Sequence, residues 1–209
     1  MSKIIKDKIK KLKPSATLAI NEESNRLIKE GKKVYKFGFG QSPFPIPESI
    51  INSLKDNAYK NKYLPMQGLE ELRTAVAEHL NKINKNNFTT NDIVIGPGTK
   101  ELMFLLQIAF DGEIILPAPS WVSYQPQAII GNNKVNWLET SKDNNWFPTA
   151  NQLENKIKSI KNKNLILFIN SPNNPSGAVC KNLHEIANVA KKNKLIILSD
   201  EIYSQLTFD

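Results

Sequence analysis

From Leu69 onward the chain repeats one pattern: a short apolar run rich in β-branched residues, a polar turn, then an amphipathic stretch long enough for a helix. Short apolar strands that alternate with helices bury both of their faces only in a mostly parallel sheet with helices on either side. The spacing predicts helices over residues 69–83, 99–110, 121–130, 151–160 and 183–192, and strands over 93–95, 113–116, 135–138, 165–169 and 195–198. Ahead of this region, residues 16–30 read as a helix with Leu18, Ala19, Leu27 and Ile28 on one face and Gly31 as its C-cap. Residues 34–39 alternate like a short strand. Gly40-Gln-Ser-Pro-Phe-Pro-Ile-Pro is a stiff extended segment, and residues 47–56 read as a helix with Pro47 in its first turn. There is no internal repeat, and the one expected boundary falls in residues 40–47.

Composition removes several function classes. The single cysteine, Cys180, excludes an internal disulfide and a multi-thiolate metal site, and neither His79 nor His184 has a partner at metal-ligand spacing. No run approaches the roughly 18 apolar residues of a membrane span. The first residues are charged and amphipathic and do not read as a secretory signal, so a cytoplasmic setting is expected. The formal net charge of +8 is spread over lysines from Lys3 to Lys194 with no aromatic-interleaved stripe, so no nucleic-acid partner is expected. A basic surface of this kind suits anionic ligands such as phosphates and dicarboxylates.

In open α/β sheets ligands bind beyond the C-terminal ends of the strands, so the residues after each strand carry the functional signal. After Ile95 comes Gly96-Pro-Gly-Thr-Lys-Glu, opening a helix. Exposed backbone N–H groups at a helix N-terminus can cradle a phosphate or carboxylate. The spacing matches neither a P-loop nor a dinucleotide fingerprint, and a plain tight turn is the alternative. After Leu116, Pro117-Ala-Pro-Ser-Trp-Val-Ser-Tyr sets Trp121 at the strand exit, as a flat plate for a planar ring or as core. After Ile169, Asn170-Ser-Pro-Asn-Asn-Pro-Ser-Gly is dense in turn formers; Asn173 and Asn174 precede Pro175, and their side chains can point into a cleft. After Leu198, Ser199-Asp-Glu-Ile-Tyr ends what reads as a central buried strand on Asp200. A buried carboxylate needs a partner: a protonated ring nitrogen, a helix N-terminus or a nearby lysine. A flat, phosphorylated, pyridine-like ring uses a phosphate cradle, an aromatic plate, an amide and a carboxylate together.

These stretches resemble, in family order, the motifs of the class I/II aminotransferases, the fold type I pyridoxal-phosphate enzymes. Ser171-Pro-Asn-Asn-Pro-Ser-Gly resembles S-P-N-N-P-T-G, with Ser176 for the commoner Thr, and Ser199-Asp-Glu-Ile-Tyr resembles S-D-E-I-Y. Pro119-Ser-Trp-Val-Ser-Tyr resembles P-x-[YFW]-x-x-Y, and Tyr63-Leu-Pro-Met-Gln-Gly-Leu-Glu-Glu-Leu-Arg resembles Y-x-x-x-x-G-x-x-x-L-R. The resemblance implies an α/β three-layer sandwich with a mostly parallel sheet. Residues 47–209 would be the cofactor-binding large domain, incomplete at its C-terminus, and residues 1–46 an N-terminal arm and part of a small domain.

It also implies pyridoxal 5′-phosphate as cofactor. The backbone amides of Gly98, Thr99 and Lys100 would hold the phosphate, and the Trp121 indole would stack on the ring. Asn174 and Tyr203 would hydrogen-bond O3′, and Asp200 would pair with the pyridine nitrogen. The Gly40 amide would help hold the substrate α-carboxylate, although the family's G-E-P-D-F stands here as Gly40-Gln-Ser-Pro-Phe. Tyr63 would reach the phosphate bound by a second copy, which implies a homodimer with shared sites.

The resemblance further implies a lysine, some tens of residues beyond Asp200, that forms a Schiff base with the cofactor and moves the substrate proton. It implies a carboxylate-binding arginine in the small domain as well. No lysine in this sequence stands in an S-x-S-K setting, so no catalytic residue is assigned. The expectation is an aminotransferase acting between an amino acid and a 2-oxo acid, of which these 209 residues are a truncated piece without turnover of its own. The alternatives are another reaction on the same fold, such as a C–S lyase or decarboxylase, a non-catalytic module that binds the cofactor or dimerises, and a nucleotide-binding α/β domain. The sequence names neither amino donor nor acceptor.

Overall fold

In the computed structural model, residues 4–14, 16–38, 40, 44–161 and 164–206 are described. They fall into two compact units, Met1–Lys13 with Gly98–Asp209, and Pro14–Pro97. The boundary expected at residues 40–47 lies inside the second unit.

In the first unit the apolar runs find parallel partners. β1 (Glu113–Ala118), β2 (Lys134–Glu139), β3 (Leu165–Asn170) and β4 (Ile196–Asp200) form one sheet in the order β2-β1-β3-β4, every pair parallel. Successive side chains of β1 and β3 point to opposite faces, and both faces are covered. Ile114, Leu116, Ile166 and Phe168 pack with Met103, Tyr124 and Ala128 of α5 (Thr99–Ala109) and α6 (Tyr124–Gly131). Ile115, Leu165, Leu167 and Ile169 pack with Leu153 and Ile157 of α7 (Ala150–Ser159) and Ile186, Val189 and Ala190 of α8 (Leu183–Asn193). This double cover is why the two strands read as unbroken apolar runs. Burial of each such side chain contributes about 1.5–3 kcal/mol.

Local chemistry sets the helix ends. Thr149 begins α7 with a capping box: its Oγ1 accepts from the Gln152 amide at 3.2 Å, and Gln152 Oε1 accepts from the Thr149 amide at 2.8 Å. The short α1 (Asp7–Lys10) is tied to the end of α6 by Lys8 Nζ, which donates to the Ile130 carbonyl and to Asn132 Oδ1, each at 2.6 Å. A cation suits the carbonyl-rich end of a helix.

The second unit holds α2 (Ala16–Lys29), α3 (Glu48–Asn57) and α4 (Glu70–Asn84). Gly31, at φ +80°, closes α2 as its position predicts, with the Lys32 amide donating to the Leu27 carbonyl at 3.1 Å. Gly68, at φ +101°, lies so close to Ile95 that a Cβ there would stand 2.6 Å from the Ile95 Cβ. The buried Arg73 donates through Nη1 to Gln67 Oε1 at 2.8 Å and to the Thr90 carbonyl at 3.0 Å.

Several expected elements differ. Residues 34–38 are not a strand, and Tyr35 and Phe37 are exposed. Residues 93–95 are not one either; the Ile95 amide donates once, to the Gln67 carbonyl at 2.8 Å. The first alternates and the second is an apolar run, but either pattern makes a strand only where a neighbour supplies a ladder. The helix expected from Trp121 starts at Tyr124, because a turn in which the Tyr124 amide bonds the Trp121 carbonyl comes first. β4 is an outer strand of the four, not a central one. Phe39 of the expected 34–39 strand, residues 41–43 of the proline-locked segment and residues 207–209 at the end of the chain lie outside the described residues.

Replacing Ile166 by Ala in the wholly buried β3 is expected to cost about 2–5 kcal/mol of unfolding free energy. Leu54→Ala, on the exposed side of α3, is expected to stay within about 0.5 kcal/mol. Urea denaturation of the two variants reads the contrast.

Candidate functional site

Because the strands run parallel, their C-terminal ends share one edge of the sheet. Trp121 follows β1, the Ser171–Gly177 loop follows β3, and Asp200 ends β4. The first turn of α5 reaches the same edge: Thr99 and Asp200 line one cavity of about 210 Å³. Lys100 Nζ stands over the Trp121 ring, 5.4 Å from its centroid.

Asp200 is buried, 7% exposed. Its Oδ2 accepts from the Tyr124 hydroxyl at 2.6 Å, and its Oδ1 accepts from the Ile202 amide at 3.3 Å. Among the described residues no lysine, arginine or histidine pairs with it, so the lysine partner open in the sequence is not made. Its burial arises from Tyr124 and the end of β3 rather than from strands on both sides. Tyr124 is locked edge-on between two aromatic rings, Trp121 at 5.3 Å and Phe168 at 5.2 Å between centroids. Burial, followed by the bond to Asp200, pushes its phenol well above the ordinary tyrosine range. Tyr124 is therefore a neutral donor near pH 7, and among the described residues Asp200 has no cationic partner.

Trp121 resolves its two readings as a mixture. It is half-buried and packs at the margin of the cluster around Phe168. Gly98 caps α5 at φ 94° and ψ 154°, a region open essentially to glycine alone. A Cβ on it would meet nothing within 4 Å, so the backbone angle and not crowding demands glycine. No side chain caps this helix start, and Gly98, Thr99 and Lys100 are exposed. The turn is braced from behind: Gln127 Nε2 donates to the Lys100 carbonyl at 2.9 Å, and Gln107 Nε2 donates to Gln127 Oε1 at 3.0 Å.

The two adjacent asparagines do different things. Asn173 turns into its own loop, where Oδ1 accepts from the Ser176 amide at 3.2 Å and the Ser176 hydroxyl at 2.8 Å. Asn174 faces outward from that loop and donates through Nδ2 to the Tyr203 hydroxyl at 3.2 Å. Asn170, at the end of β3, bridges the two segments: its Nδ2 donates to the Asp200 carbonyl at 2.9 Å and its Oδ1 accepts from the Asn174 amide at 2.7 Å.

One compact unit thus brings together Gly98, Thr99, Lys100, Trp121, Asn174, Asp200 and Tyr203. Gly40 and Tyr63 belong to the other unit, and both are exposed. Sequence reasoning gave no role to Tyr124, Asn170 or Gln127. Tyr124 had one signal, its place three residues after Trp121 in a motif; the other two look like ordinary polar residues until burial is known. Cys180 packs half-buried against the other core cluster, and burial raises its thiol above the usual range. Among the described residues no helix is long and apolar enough to cross a membrane, and no group of three or more His, Cys, Asp or Glu could hold a metal.

Comparison with known proteins gives a consistent result. The family described as aminotransferase class I and II matches residues 32–209. An aspartate aminotransferase of Bacillus sp. (strain YM-2) is 33% identical over 216 aligned residues, covering 100% of this chain and 54% of that protein. A probable aspartate/prephenate aminotransferase of Aquifex aeolicus is 33% identical over 217, again covering 100% and 54%. The solved structure of an aspartate aminotransferase from Thermus thermophilus with maleate superposes with a TM-score of 0.88 at 29% identity, covering 98% of this chain and 55% of that one. The chain spans about half the length of the curated relatives it matches.

The Tyr124 phenol, raised in the folded state, contributes stability that is fully present below the unfolded tyrosine pKa of about 10 and is lost as pH rises beyond it. Tyr124→Phe is expected to lower stability at neutral pH by about 1.5–3 kcal/mol and to flatten the alkaline decline. Denaturant unfolding of both proteins at neutral and strongly alkaline pH measures the two effects.

Proposed function

The chain belongs to the aminotransferase class I and II family, and on that premise we propose that it is the cofactor-recognising part of an aminotransferase that moves an amino group between an amino acid and a 2-oxo acid. Enzymes of this family depend on pyridoxal 5′-phosphate. The observation that carries the proposal is Asp200: a buried carboxylate held by a neutral hydroxyl and a backbone amide, with no cation paired to it among the described residues. A protonated pyridine nitrogen is the partner such a group lacks.

The other residues fit the same group. The uncapped start of α5, with glycine at Gly98, leaves the backbone amides of Gly98, Thr99 and Lys100 to take the phosphate. The Trp121 indole would lie on one ring face. Asn174 and Tyr203, already hydrogen-bonded to each other, would both reach O3′. When bound, the cofactor supplies an electron sink for proton loss at the substrate Cα. The part of Asp200 is to keep the ring nitrogen protonated, and that of Tyr124 is to hold Asp200 oriented. The Gly40 amide would take the substrate α-carboxylate, and the exposed Tyr63 would complete the phosphate site of a second copy in a homodimer. The names of the relatives favour a dicarboxylic amino acid, aspartate, as donor. Residues 1–46 would serve with a small domain and residues 47–209 as the large domain, in a cytoplasmic enzyme. No lysine among the 209 residues stands in the expected motif, so these residues alone would bind the cofactor without turnover.

Titration of the protein with pyridoxal 5′-phosphate, followed by absorbance and Trp fluorescence, tests the reading. Saturable binding is expected, weakened at least about tenfold by Asp200→Ala. Gly98→Ala is expected to weaken it too, since the substitution strains the backbone by about 1–3 kcal/mol. Transamination from aspartate to 2-oxoglutarate is expected of the full-length protein. Turnover by the 209 residues alone would overturn the last part of the proposal, and absence of any binding the whole of it.

A further inference from the structure

We propose that Asn170 is a positioning residue that holds the ring-nitrogen partner and the O3′ partners of the cofactor site in one fixed arrangement; this rests on the reading of Asp200 and Asn174 given above. Asn170 is the last residue of β3, stands opposite Asp200 in the parallel register and is only 5% exposed. At that point the ladder between β3 and β4 ends, and the Asp200 carbonyl takes a side-chain donor, Asn170 Nδ2, at 2.9 Å. The other end of the same carboxamide, Oδ1, takes the Asn174 amide at 2.7 Å. One planar group therefore fixes the backbone of both residues.

The bonds on either side extend this link. Tyr124 holds Oδ2 of Asp200, and Asn174 Nδ2 meets the Tyr203 hydroxyl. The resulting line, Tyr124–Asp200–Asn170–Asn174–Tyr203, joins the end of β4 to the loop after β3 at Asn170 and returns to the segment after β4 at Tyr203. The orientation of the carboxamide is determined by its partners. Turned over, it would face its oxygen to the Asp200 carbonyl and its NH₂ to the Asn174 N–H, two repulsive pairs. The role needs one donor and one acceptor at a fixed separation in a closed space. Asp has no donor when ionised, Ser reaches one partner but not both, and Gln adds a methylene where there is little room. With both polar atoms bonded, burial of the amide carries little penalty, which distinguishes it from a polar residue trapped by chance.

The test uses the full-length protein and a double-mutant cycle on pyridoxal 5′-phosphate affinity, read by absorbance titration for wild type, Asn170→Ala, Asn174→Ala and the double variant. The ring-nitrogen shift of ¹⁵N-labelled cofactor bound to each is recorded in parallel. Asn170→Ala is expected to weaken binding about tenfold. Once Asn174 is already Ala the same change is expected to cost clearly less, and the ¹⁵N signal is expected to move toward the unprotonated position. Asn170→Ser, which keeps a polar group of shorter reach, carries the same cycle where the alanine variant does not fold. A purely structural Asn170 would lower thermal stability yet leave the affinity of the folded protein and the ¹⁵N shift unchanged, or give strictly additive losses; either result overturns the inference. A wild type that fails to bind the cofactor overturns instead the reading on which it rests.

Discussion

Parallel strands cannot be joined by a tight turn; each return to the start of the sheet takes a crossover, here built around a helix. That constraint orders the first unit of this protein. It forces β1, β3 and β4 to finish on the same edge, and it supplies the helices that cover both faces of β1 and β3. The residues that follow each strand, far apart in the chain, become neighbours because the strands are in register. Asn170 lies opposite Asp200 for that reason and no other.

The core and the site are continuous through Tyr124. Its ring belongs to the cluster that includes Ile114, Ile166 and Phe168, and its hydroxyl holds Asp200. Burial in that cluster keeps the phenol protonated, so the donor to Asp200 is neutral, and no cation among the described residues pairs with that carboxyl. A cationic donor in its place would satisfy Asp200 and remove its reason to bind a protonated ring. Gln127 and Gln107 do comparable work on the phosphate side, where amide bonds fix the first turn of α5 without spending its own N–H groups.

The sequence was read correctly where a single local rule applied. The period of the helices, the glycine closing α2 and the apolar runs of β1 and β3 all carry their causes within a few residues. Residues 34–38 and 93–95 carry a strand-like pattern, alternating in the first and apolar in the second, but a strand also requires a partner, which neither has. The apolar approach to Asp200 reads as a central strand, since sequence does not distinguish burial between strands from burial at an outer strand whose end bonds a buried tyrosine hydroxyl. Asn173 and Asn174 look equivalent in sequence, and only the loop geometry separates the one that braces the turn from the one that meets Tyr203.

By itself the sequence determined the family and the parallel α/β character, because motifs and periodicity are local and survive without coordinates. Which residues stand together at the strand ends was decided by tertiary structure. The Tyr124–Asp200 bond joins positions 76 residues apart, and the Asn170–Asp200 bond joins positions 30 apart. Neither follows from spacing along the chain. Each exists because a buried polar group must find its hydrogen-bond partner among whatever the packed strands and helices bring within reach.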